Sequence, residues 1–160
     1  MHRQNASIGR WAWLLPAAYS AHVAEEAFCG NGLTGWMAAG GGARLSISEF
    51  IGLNLVGVAL LVFAAWAARR SMVWRWPLIS GAAILLVNGM CHAAVCVAAR
   101  AYVPGLWTGI VLYVPVGGVL LFLLWRSVSP RLFAAAITVG LMIHGVVLWL
   151  VLRMPGFTWR

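Results

Sequence analysis

Lysine is absent from this chain and acids are scarce: eleven arginines carry all the basic charge, and Glu25, Glu26 and Glu49 are the only acidic residues. Charged residues make up 9% of the 160 positions against 63% apolar, and the mean hydropathy is +0.92. Such values lie far outside those of soluble domains. Cysteine is also sparse. Cys29, Cys91 and Cys96 form no CxxC pair, and their odd number argues against a closed disulfide framework. Cys91 and Cys96 fall inside an apolar run, where cysteine behaves as a small hydrophobe. The net charge of +8 would suit nucleic acid if the arginines formed a patch with aromatics. They cluster instead at the ends of apolar segments, so membrane topology and lipid headgroups account for them and no nucleic-acid partner is expected. Residues 1–10 are too polar for the apolar part of a signal peptide, so no cleavable signal is expected.

What the chain has in quantity is apolar runs approaching or exceeding the ~20 residues that cross a bilayer. The expected fold is all-α, a polytopic membrane helix bundle forming one transmembrane domain over 1–160, with about five spans near 11–28, 46–67, 77–99, 106–125 and 132–152. Pro16 should kink or break the early turns of the first span. The glycine-rich stretch from Cys29 to Arg44 reads as a loop against the interface or dipping into the membrane, and not as a helix. Ser46 or Ser48 can cap the second span, Pro77 suits the start of the third, and Pro104-Gly105 is a strong turn pair. Pro115 with Gly117-Gly118 predicts a kink and a close packing point in the fourth. Trp11, Trp13, Trp36, Trp74, Trp76, Trp107, Trp125 and Trp159 fall near the expected interfaces. Five spans put Arg3, Arg10, Arg69, Arg70, Arg75, Arg126 and Arg131 on one side and Arg44, Arg100, Arg153 and Arg160 on the other. That asymmetry favours a cytoplasmic amino terminus.

The anomaly in this apolar chain is Ala21-His22-Val23-Ala24-Glu25-Glu26. His22, Glu25 and Glu26 are three and four residues apart and share one helical face. Ionisable groups at membrane depth are costly, and they face a protein interior, a partner or a cavity. With the spans above, Glu49, Asn54, Asn88, His92 and His144 reach the same half of the membrane from three other helices. His22, Glu26, Glu49, His92 and His144 are candidate ligands for a divalent metal, zinc, iron or manganese, because imidazole and carboxylate together suit those ions. Glu25 and Glu26 are candidate catalytic acid–base groups, with Asn54, Asn88, Arg100 and Tyr102 as supporting or substrate-orienting residues. Each has a plainer reading. Asn54, Asn88 and His144 can be hydrogen-bonding glue between helices, Glu49 can complement a helix dipole, and Arg100 can anchor at the interface.

His22-Val-Ala-Glu25-Glu26, the following glycine-rich segment with Trp36, and the later Asn88, His92, Tyr102-Val-Pro104-Gly105 and Pro115 resemble the HXXEE domain family of small bacterial multi-pass membrane proteins. The resemblance covers about residues 12 to 150 and implies a bacterial cytoplasmic-membrane location, but it supplies no reaction. The leading functional expectation is a membrane protein with a metal-binding His/Glu pocket, acting as a metal-dependent enzyme on a lipid or other apolar small molecule. One alternative is a proton- or cation-coupled carrier using the Glu/His residues as a relay, and another is a non-catalytic scaffold subunit. A haem held by His92 and His144 is a variant of the first.

Overall fold

The computed structural model describes residues 9–39 and 45–153. The tail 1–8 with Arg3, the stretch 40–44 with Arg44, and 154–160 with Trp159 and Arg160 lie outside them. The described residues are mostly helical, without strands, as the apolar runs require: in hydrocarbon each backbone N–H and C=O must be satisfied within its own segment. We number the helices α1 (Leu14–Phe28), α2 (Gly32–Ala39), α3 (Ile47–Ala68), α4 (Arg75–Ala99), α5 (Leu106–Leu124) and α6 (Pro130–Arg153). Candidate membrane-crossing segments, by length and hydropathy, are α3, α4 with the short turn before it, α5, and α6 as far as Trp149.

α1 is shorter. Its 15 residues rise about 22 Å, less than the ~30 Å of a hydrocarbon core. A turn at Ala12 and Trp13 interrupts the helix before α1 starts, which leaves Pro16 in the first turn, where no intrahelical donor is missed. α2 corrects the loop expected between Cys29 and Arg44. Leu33, Trp36 and Met37 recur at helical spacing, and Met37 is buried, so an anchored apolar face outweighs Gly32 and Gly35.

Consecutive long helices alternate in direction, with α4 in the middle, packed against α3, α5 and α6. The core is Leu15, Leu78, Ile79, Leu85, Tyr113, Leu120 and Leu124, all fully buried. α6 docks on α4 where the Ser80 hydroxyl donates to the Ala136 carbonyl at 2.7 Å. Close approach of α4 to α5 rests on Gly89 and Gly109: a Cβ on Gly89 would lie 2.6 Å from the Gly109 carbonyl oxygen.

The two ends of the bundle differ in chemistry. At one end lie Arg69, Arg70, Arg126 and the buried Arg75, which donates to the Ser127 carbonyl at 3.3 Å. At the other end α1 finishes, α4 finishes and α5 begins, and there the buried acids and histidines meet.

Candidate metal centre

α5 opens with a structural deficit. Its N-cap is Gly105, which has no side chain to satisfy the first free N–H groups of the helix. The missing acceptor comes from α1. The Glu25 carboxylate accepts the backbone N–H of Trp107 at 3.0 Å on Oε1 and that of Thr108 at 2.7 Å on Oε2. Oε1 also accepts the Tyr102 hydroxyl at 2.7 Å, and Oε2 the Thr108 hydroxyl. A carboxylate offers about four lone-pair sites, and here all are taken. A negative charge at the start of a helix is further stabilised by the macrodipole. Glu25, 7% exposed, is thus a cap supplied by another helix, engaged where a spare acid–base group was expected. Burial and the adjacent carboxylate together hold the Tyr102 phenol well above its ordinary range.

Glu26 points elsewhere, since neighbouring residues on a helix diverge by about 100°. Its Oε1 lies 3.4 Å from His22 Nε2 and 3.2 Å from His92 Nε2. His22, Glu26 and His92 each offer one ligand atom, all within 4.8 Å of one another, the arrangement of a group that could hold a metal ion. His22 is 2% and Glu26 8% exposed.

The His22 ring is gripped on several sides. Its Nδ1 lies 2.8 Å from Thr108 Oγ1, Tyr113 stacks on its face with centroids 4.0 Å apart, and His92 meets it edge-on at 4.9 Å. Thr108 and Tyr113 are five residues apart and would diverge on an α-helix. They converge because Gly109–Tyr113 forms a π-helical turn, closed by the Val114 N–H on the Gly109 carbonyl. Pro115, which has no N–H and crowds the preceding turn, accounts for a turn wound wider there rather than the plain kink expected.

Gly105 closes the site from the loop side. Its φ of +97° lies in the left-handed region, and a Cβ there would sit 2.6 Å from His92 Cε1 and 2.9 Å from His22 Cε1. Gly105→Ala is therefore expected to destabilise the protein by about 1–3 kcal/mol through strain and overpacking. It should also push the two imidazoles apart, which thermal unfolding together with a metal titration would register.

The remaining expected residues are dispersed. Glu49 is exposed at the start of α3, where it accepts the Ser46 backbone N–H at 2.9 Å in a reciprocal capping box. Expected as a metal ligand, it is engaged here at its own helix end. Asn54 accepts the Tyr19 hydroxyl at 2.6 Å and donates to the Phe50 carbonyl, joining α3 to α1. His144 on α6 is not one of the three grouped residues, although its ring feels the charge of His92; its Nε2 is buried without a hydrogen bond, as is Asn88 Oδ1 one turn before His92. Arg100 ends α4 in a left-handed conformation and is exposed. Thr108 and Tyr113 escaped the sequence reading. The available signal was a helix start at Gly105 without a capping side chain.

A helical membrane protein with a buried His/Glu cluster at one end of its bundle is the class these features define. The chain belongs to the HXXEE family, described as proteins of unknown function with an HXXEE motif, whose model matches residues 13–120. No curated protein and no solved structure matches it.

Proposed function

We propose that this chain is a membrane-embedded metalloprotein that holds one divalent ion of the zinc, iron or manganese class on His22, Glu26 and His92, and uses it as an enzyme on a lipid or other apolar small molecule. The observation that carries this reading is the convergence of two imidazole nitrogens on one carboxylate oxygen in a buried site. Two imidazoles and a carboxylate form the donor set of open metal sites, in which protein ligands leave a coordination position for water or substrate. An ion there would polarise a substrate oxygen or activate water. The chain's own residues contribute the rest: Glu26 supplies the negative charge, Tyr113 and Thr108 hold His22, and the surrounding helices exclude bulk water.

By the arginine asymmetry, with Arg10, Arg69, Arg70, Arg75, Arg126 and Arg131 at one end, we place that end at the cytoplasmic face and the site near the opposite face. Elemental analysis of protein purified in mild detergent tests the metal reading. About one ion per chain is expected, removable by a chelator and restored by zinc, iron(II) or manganese. Protein that takes up none of the three would overturn it and leave the scaffold role.

A further inference from the structure

The metal reading leaves unexplained why the motif carries two adjacent acids when only one approaches the imidazoles. Hydrogen-bond polarity supplies the reason. The Thr108 hydroxyl has a single proton and lies between Glu25 Oε2 and His22 Nδ1. Glu25, ionised and surrounded by donors, can only accept from it. The proton therefore points at Glu25, and the threonine oxygen turns a lone pair towards His22 Nδ1, 2.8 Å away. That contact is a hydrogen bond only if Nδ1 carries the imidazole proton. In the neutral ring His22 Nε2 is then bare; it faces Glu26 Oε1 at 3.4 Å and is buried without a hydrogen bond.

We propose that Thr108 is the positioning residue of this centre: oriented by Glu25, it fixes His22 in the Nδ1–H tautomer so that the Nε2 lone pair is presented beside the Glu26 carboxylate. Two acceptors held against each other in a buried site favour a cation over a neutral pair. The same device, a second hydrogen bond on the far nitrogen, sets tautomer and ring orientation in metal-binding histidines generally. The inference rests on the metal reading for its purpose, but its first test needs no metal.

Nitrogen NMR of metal-free, 15N-histidine-labelled protein in detergent reads the tautomer directly, with the His22 signals identified by their loss in His22→Gln. A protonated Nδ1 and a bare Nε2 are expected, and either the opposite tautomer or an imidazolium protonated on both nitrogens would overturn the proposal. Zinc affinity is then measured by competition with a chelator. Thr108→Val should weaken binding about 10–100-fold, the usual effect of losing a ligand's supporting partner. Thr108→Ser, which keeps the hydroxyl, should restore it. Wild-type affinity in Thr108→Val, or equal weakness in Thr108→Ser, would overturn the role. If the wild-type protein shows the Nδ1–H tautomer but binds no zinc, iron(II) or manganese, the metal reading fails while the positioning of His22 by Thr108 stands.

Discussion

Glu26→Gln is expected to lose metal binding while leaving the bundle folded. The carboxylate supplies the one negative charge of the group and the oxygen on which both imidazoles converge, 3.4 and 3.2 Å away. An amide oxygen is a weaker, neutral donor, so affinity should fall by more than the ~100-fold at the upper end of what a supporting residue costs. Stability without metal should move the other way or not at all. Glutamine keeps the volume of the side chain, and its amide can donate an N–H to His22 Nε2, which lacks a hydrogen bond. A buried acceptor is thereby satisfied and the cost of a buried charge removed. Zinc competition and thermal unfolding of the metal-free protein measure the two halves separately. Unchanged zinc affinity in Glu26→Gln would remove Glu26 from the ligand set. A large loss of metal-free stability would instead mean that the carboxylate holds the helices together.

How far the site was legible depends on which dimension of the molecule a residue pattern encodes. Spacing within one helix is encoded directly, so the shared face of His22 and Glu26 followed from their separation of four. Height in the membrane follows from span boundaries, and it brought His92 to the right level. Height alone does not say which way a side chain faces around its helix. Glu49 shows this, since its carboxylate serves the capping box of α3. The place of His144 was unreadable for a related reason: α6 docks on α4 through Ala136 and Gly140, and no local pattern near His144 specifies that seam. The fold class was readable for a different reason, since apolar runs in a bilayer admit little except helices. The π turn and the cap supplied by α1 were not readable, because both depend on how closely α1, α4 and α5 approach. Gly89 and Gly109 permit that approach, yet small residues recur along several of these helices without one.

Glu25→Ala is expected to be the most destabilising change at the site, the reverse of Glu26→Gln. Four donors converge on this carboxylate, and they do not weigh equally. Tyr102 is 38% exposed, so its hydroxyl can turn to water or a headgroup, and the Thr108 hydroxyl can rotate to another acceptor. The backbone N–H groups of Trp107 and Thr108 cannot turn away. They belong to the first turn of a helix whose own N-cap is glycine, and alanine at 25 leaves them without that acceptor. Loss of a cap costs about 0.5–2 kcal/mol, and each buried donor left unsatisfied about 1–3 kcal/mol. A loss of roughly 3–5 kcal/mol is therefore expected, enough to lower the unfolding temperature in detergent by many degrees. Glu25→Gln should be only partly tolerated: one oxygen remains, but the amide N–H₂ must face at least one pair of donors. If Glu25→Ala unfolds at the wild-type temperature, the cap supplied by α1 is not a structural necessity. If Glu25→Ala is destabilised without metal and Glu26→Gln is not, the two adjacent acids have separate tasks. Glu25 then anchors the start of α5 and orients Thr108, and Glu26 is left free to face the imidazoles, because adjacent positions on one helix point to different neighbours.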